Sequence, residues 1–456
     1  MTLRHGLRAI ALGAFLNCAI VPLGAGAALG AGAALGAVEL PDLGPSVTVG
    51  RLSEGGTVIV RPTQGAPVAA IELWYRAPST GFGPKPLPAL ARLAAQAVAG
   101  SKPLVGGTLG QDVAAAGGRL AVTVYSDSVA IAAVVPAGAA RSVVKAMTTA
   151  FFAPVATEEG FHVAQRDVAQ EAFVSTFDAE TVVRDAVFSE LFAAGPQHYP
   201  SLGAPKDVSN ISFADVKSFA TRAFRSSNAT LVISGAIGSD VATAAVAGRP
   251  SAGNDMAEAI TPPVLATTIS PVSRSFVQAL GGYGWVGPPI ADQREATAMD
   301  FIADYLFRVD DGIVTKAVAR RLPKALLVGR FITLHDPGVM VVAFAGKDTP
   351  GVRGLVDDGL AAVRKPLPAG SFASAVESFK YHLLSDLQTP TQQADNFGWY
   401  SVEGSAAYAP GANGENGAYF KAASALTPEF VASVAEKYLG KAPVVVTLEP
   451  QEKKAQ

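Results

Sequence analysis

Catalysis needs side chains that hold protons, metal ions or nucleophilic lone pairs, and this sequence supplies few of them. Beyond the N-terminal segment its histidines are His162, His198, His335 and His382. No two stand four apart, the spacing that brings two imidazoles to one ion from a single helix face. The one cysteine is Cys18, and a clustered carboxylate pair suited to acid–base work is lacking. An enzyme working through convergent acid, base and nucleophile is therefore not what these residues describe. The stretch P-A-L-A-R-L-A-A-Q-A-V-A-G, residues 88–100, follows an apolar strand and a Gly/Pro loop. Its proline start and glycine stop are those of a helix. That position often carries chemistry, yet the helix offers mainly methyl groups.

The elements around that helix are set by a long and nearly neutral chain. The 456 residues exceed what one hydrophobic core normally organises. Thirty-six basic against thirty-eight acidic side chains give a net charge of -2, with 16% of residues charged. Such a balance sets up no field toward nucleic acid. Mean hydropathy is +0.30, but beyond residue 40 the apolar residues are spread through amphipathic stretches rather than gathered into blocks of about 20. The N-terminus differs. Arg4, His5 and Arg8 precede an apolar run and then the small residues G-A-G-A-A-L-G-A, the order of a secretory signal peptide. Residues 1–37 are expected to be that signal, cleaved between residues 27 and 38, with the rest exported to the periplasm. The alternatives are an uncleaved membrane anchor and lipid attachment at Cys18, to which Phe15-Leu16-Asn17 is a poor match. Cleavage would leave no thiol and no disulfide.

The remainder repeats itself. V-A-A-I-E-L-W-Y-R-A-P and the later S-F-V-Q-A-L-G-G-Y-G-W-V-G-P-P place Trp74 and Trp285 at matching points, each before a helix. A β-hairpin pattern with an Asp-containing turn follows in each half, then helices (residues 139–152 and 352–363 at the start), then a capped helix and a last strand. Ser212 and Thr427 read as N-caps. Residues 46–245 and 271–450 are expected to be two α+β domains, joined by a Gly-, Pro- and Ser-rich linker at 246–270.

This order of elements, together with G-P-Q-H-Y-P-S-L-G-A-P-K-D-V-S-N-I-S-F-A-D-V-K-S-F at residues 195–219, resembles the pitrilysin/insulinase class of zinc metallopeptidases, in its mitochondrial-processing-peptidase-like branch. The resemblance implies an α+β fold of two homologous α/β-sandwich domains (LuxS/metallopeptidase-like) forming half of a clamshell. Active relatives carry H-x-x-E-H on the first-domain helix, two zinc ligands and a water-activating glutamate. Aligning the following Gly-Thr on Gly100-Ser101 puts those three roles on Ala91, Ala94 and Ala95. Glu171, in R-D-V-A-Q-E-A, lies near the place of the third ligand and would be a remnant, with an exposed helix carboxylate as the alternative. The resemblance thus implies a degenerate member with no zinc of its own, completing a peptide-binding chamber with a zinc-bearing homologous subunit. In V-A-R-R-L-P-K-A-L-L-V-G-R, Arg321 or Arg320 matches an arginine that holds the peptide, while the companion tyrosine falls on Val328. The glycine-rich 408–419 segment is expected to be a long turn rather than a chamber lip. Alternatives are a scaffold of the same fold without a role in proteolysis, and a peptidase with a relocated metal site. Self-association of two copies is left open.

Overall fold

The computed structural model of the protein describes residues 43–44, 46–52, 55–65, 67–102, 107–238, 241 and 258–450. The expected signal peptide with Cys18, and residues 246–257 of the expected linker, lie outside these. The first half contains β1 (Thr48–Arg51), β2 (Thr57–Pro62), β3 (Val68–Arg76), α1 (Leu90–Ala99), α2 (Leu109–Ala115), β4 (Arg119–Val124), β5 (Ser128–Pro136), α3 (Ala140–Phe152), α4 (Glu158–Ser175), α5 (Ala179–Leu191), β6 (Phe192–Ala194), α6 (Pro205–Ser209), α7 (Phe213–Ala223) and β7 (Ala229–Gly235). The second contains β8 (Val264–Leu265), β9 (Val272–Phe276), β10 (Leu280–Val286), α8 (Gln293–Phe307), α9 (Ile313–Arg321), β11 (Leu326–Ile332), β12 (Val339–Ala345), α10 (Thr349–Val363), α11 (Ala369–Ser385), α12 (Pro390–Glu403), α13 (Ala418–Ser424), α14 (Pro428–Leu439) and β13 (Val444–Pro450).

The internal repeat is plain in the sheets. The first runs β1-β2-β7-β3-β5-β4 and the second β9-β13-β10-β12-β11 when read in the same sense. In both, the strand bearing the tryptophan (β3 or β10) lies between a hairpin partner and the last strand of its half, antiparallel to each. The last strand then pairs in parallel with an earlier one, β7 with β2 and β13 with β9. The expected caps form: Ser212 Oγ accepts from Asp215 N–H while Asp215 returns a bond to Ser212 N–H, and Thr427 Oγ1 accepts from Phe430 N–H.

Each sheet buries one face under a helix of the other half. Val183 and Val187 of α5 share a core with Leu280, Val341 and Val446 of the second sheet. Conversely Ala394 and Phe397 of α12 share one with Ala70, Trp74 and Val232 of the first. The close approach of α5 requires glycine beneath it, because a Cβ on Gly284 would overlap the Val187 side chain. This exchange makes the docking of the halves part of both cores.

The 408–419 segment is a packed turn. Tyr408 and Tyr419 are buried, and their hydroxyls donate to Gln293 O and Asp300 Oδ2, both at 2.6 Å. Burial pushes the Asp300 carboxyl up to about 7, against the opposing bonds from Tyr419 and Thr333. A carboxyl raised above its unfolded value near 3.8 binds the proton more tightly when folded. Its contribution is therefore complete at low pH and is lost as pH rises from about 4 to about 7. Asp300→Asn is expected to flatten the pH dependence of the unfolding midpoint across that window; an unchanged slope would refute the assignment.

Candidate functional site

The alanine-rich helix α1 enters from a constrained turn. Ala89, just before it, has φ 75°, a left-handed conformation that a non-glycine residue adopts at a cost of about 1 kcal/mol. Ala91 N–H bonds Ser79 O, tying the first turn to the preceding loop. At the other end Ser101 Oγ donates to Ala97 O at 2.6 Å and accepts from Thr157 N–H at 2.9 Å. Thr157 is in turn the N-cap of α4. These bonds fix α1 alongside α4 with little freedom to slide.

Ala91, Ala94 and Ala95 all have 0% exposure and pack into the first-half core with Leu73, Tyr75 and Ile131. The face of α1 that looks toward α4 is different. Arg92, 9% exposed, is bidentate to Glu171: Nε donates to Oε2 at 2.9 Å and Nη2 to Oε1 at 2.7 Å. Gln96, one turn on, accepts from Arg92 Nε and Nη2 at 3.2 Å once its amide is oriented with the oxygen toward the guanidinium. Arg92 Nη1 also donates to the carbonyl of Val122 on β4. Among the described residues β4 is an edge strand of the sheet. Tyr125 N–H bonds Ser128 O across the hairpin turn, so the alternation of an antiparallel ladder directs Thr123 and Ala121 toward β5 and Val122 outward. One guanidinium thus joins α1, α4 and an edge strand.

Glu171 meets α1 through Arg92, as an ion-pair partner whose side chain is 36% exposed. Arg92 reaches it; Gln96, four residues on, bonds Arg92 rather than Glu171, and the three alanines lie in the first-half core. Arg320 and Arg321 are not brought to this place. They end α9, where Arg320 Nε donates to Lys316 O, and Arg321 borders a shallow cleft with Asp348 and Asp358. Val328 stands part-exposed on edge strand β11. The histidines are separate from one another: His198 Nδ1 contacts Phe192 O, and buried His382 lies between Asp304 and Asp311. Among the described residues no group of three or more His, Cys, Asp or Glu side chains is arranged to hold a metal ion.

Two carboxyl pairs that sequence reading missed lie where α12 crosses the first sheet. Glu72 on β3 faces Asp395, and Asp127 in the β4–β5 turn faces Glu403. Burial, and then the neighbouring acid, drive Glu72 and Glu403 well above the usual carboxylate range. Trp74 Nε1 donates to Glu72 Oε2 at 2.7 Å, and His335 N–H to Glu403 Oε2 at 2.7 Å. The remaining buried oxygens, Glu72 Oε1, both of Asp127 and Glu403 Oε1, have no other donor, which a shared carboxyl proton supplies. The only sequence signal was Glu72 itself, a charge inside an otherwise apolar strand.

No family model and no curated protein matches the chain. Solved structures do. A protease from Helicobacter pylori superposes with a TM-score of 0.75 at 16% identity, over 89% of this chain and 100% of its own. A putative M16-like peptidase from Alicyclobacillus acidocaldarius gives 0.72 at 16% identity, over 91% and 100%. A peptidase M16 inactive domain from Pseudomonas fluorescens gives 0.72 at 17% identity, over 90% and 99%. Complex III2 from Candida albicans contains a chain matching at 0.71 and 13% identity, over 90% and 97%. The fold is that of the M16-like peptidases, as the sequence resemblance implied.

Proposed function

We propose that this chain is a non-catalytic homologue of processing-peptidase-type zinc metallopeptidases, exported by its N-terminal segment, that pairs with a zinc-bearing homologous subunit to enclose extended peptides. The observation that carries the reading is the guanidinium of Arg92 on Glu171. A catalytic zinc needs about three protein ligands with lone pairs. On α1 the positions available to it are Ala91, Ala94 and Ala95 in the register set by Gly100-Ser101, or Arg92, Ala95 and Gln96 in the register that starts from Arg92, the residue that bonds Glu171. Methyl groups give no lone pair, and a guanidinium only donates hydrogen bonds. The donor set does not fit zinc, and a positive charge already satisfies Glu171. Metal and water activation are thereby assigned to the partner.

What the chain would add is surface. Among the described residues β4 is an edge strand, the kind of element to which an extended peptide adds as a further strand. Arg321, or Arg320 beside it, would hold a substrate carbonyl or carboxylate from the second domain. A scaffold role is favoured by one specific contact: Arg92 covers the outward carbonyl of Val122 and withdraws one acceptor from strand addition.

Co-expression with a homologue carrying an intact H-x-x-E-H separates the two. The chamber reading expects peptide cleavage in the mixture only, with Arg321→Ala lowering kcat/KM about tenfold, the loss of one charge-assisted hydrogen bond. Full cleavage by the zinc-bearing chain alone would leave scaffolding.

A further inference from the structure

Between the first sheet and α12 lies an open cleft of about 460 Å³, and neither Arg92 nor Glu171 lines it. Its wall is aromatic. Trp74 and Tyr125 stack with centroids 6.0 Å apart and planes at 10°, and Trp399 stands edge-on to Tyr125 at 4.6 Å. Asp395 enters the same wall, with Glu72 directly behind it. Glu72 Oε2 is taken by Trp74, while Oε1 is buried and has no donor beyond the Asp395 carboxyl.

The charges nearby are spent elsewhere. Asp386, the other acid of the cleft, is bidentate to Arg308 at 2.6 and 2.7 Å. Arg184 and Arg330, whose fields reach Tyr125, pair with Asp185 and Glu180. Among the described residues no lysine or arginine bonds Asp395 or Glu72. Glu72 is buried while Asp395 meets solvent in the cleft; an acid pair without a countercharge keeps a proton on its buried member, and desolvation raises both carboxyls, Glu72 the more because Asp395 adds to it.

We propose that this cleft binds an organic monocation, an alkylammonium or guanidinium head, seated on Asp395 against the part-exposed rings of Tyr125 and Trp399, with buried Trp74 stacked behind Tyr125. The cation replaces the carboxyl pair's proton, which passes to solvent as the cation binds. Three features point to this class. Aromatic faces attract a cation within about 6 Å of the ring centroid. An inorganic ion would leave those faces unused, and a neutral ligand would leave the carboxyls uncompensated. The head can come from a free amine or from a lysine or arginine side chain of a peptide; the site stands whether or not the chain encloses peptides.

Trp74 and Trp399 are two of three tryptophans in the chain, so intrinsic fluorescence reports on the cleft. The full chain is titrated at pH 8 with n-butylamine, with Nα-acetyl-lysine N-methylamide and with the neutral Nα-acetyl-norleucine N-methylamide. Calorimetry in two buffers of different ionisation enthalpy counts the protons. Either cation, or both, is expected to give a saturable fluorescence change with proton release, the neutral compound none. Response to butylamine identifies a free head as sufficient; response to the lysine derivative alone identifies a basic side chain. Affinity should fall at least tenfold in Asp395→Asn and, since cation and proton compete, at least tenfold between pH 8 and pH 5. Trp399→Leu, a part-exposed position, should weaken binding while preserving proton release. No saturable response to either cation in the unmodified chain, an equal response to the neutral compound, or unchanged affinity in a folded Asp395→Asn variant would each overturn the proposal.

Discussion

Arg92→Ala is expected to destabilise the protein by about 2–3 kcal/mol, chiefly because it leaves Glu171 charged beside an apolar helix. The side chain of Arg92 is 10% exposed and that of Glu171 36%. Water can therefore reach the orphaned carboxylate in part, which holds the loss below the 3–5 kcal/mol typical when a fully buried pair is broken. The variant also frees the Val122 carbonyl, which lies at a sheet edge and recovers a water bond at small cost. Glu171→Gln keeps a hydrogen-bond acceptor for Arg92 and is expected to cost less than Arg92→Ala. In the double variant Arg92→Met, Glu171→Leu both charges are gone and volume is kept, so its loss should be smaller than that of Arg92→Ala alone. Denaturant unfolding of the four proteins checks this. A loss in the double variant no smaller than that of Arg92→Ala would mean that the two side chains do not depend on each other.

A comparable effect is expected where the halves dock. Gly398 of α12 lies against Trp74 so closely that a Cβ would fall well under 3.0 Å from the indole ring. The ring cannot retreat easily, being 1% exposed and bonded to Glu72. Gly398→Ala must displace α12 or break that bond, and overpacking of this kind costs about 1–3 kcal/mol, with the stranded Glu72 adding to it. The expected result is a loss of about 3 kcal/mol with altered near-ultraviolet circular dichroism from Trp74 and Trp399. Gly354→Ala in α10 is the matched control: its Cβ would meet nothing within 4 Å. There the better helix former should stabilise by about 0.5–1 kcal/mol. Equal behaviour of the two substitutions would refute the packing argument.

What the sequence revealed, and what it hid, follows from the range of the forces involved. Strand alternation, hairpin turns and N-caps such as Ser212 are local, and they appear in the fold as read. The repeat was visible because Trp74 and Trp285 occupy equivalent central strands. The orientation of α1 was not legible, since alanines fit either a core or a vacated site. Arg92, the one charge on that helix, was passed over because its partners, Glu171 and Val122, are distant in sequence. The same holds for Glu72 with Asp395 and Asp127 with Glu403. Both pairs exist only because α12 crosses to the other half's sheet, and an amphipathic helix pattern does not say which sheet it will cover. His382 is buried between Asp304 and Asp311, which come from another helix and the turn after it.

The proposal that this chain is a non-catalytic partner rests on Ala91, Ala94 and Ala95 of the first-half helix and on the Arg92 guanidinium that pairs with Glu171. Elemental analysis of the protein purified alone, after incubation with excess zinc and exhaustive dialysis, tests it most directly. Zinc far below one equivalent, with unfolding unaffected by chelator, is the expected result. Stoichiometric zinc that is lost when Glu171 is replaced by alanine, accompanied by peptide hydrolysis, would contradict it.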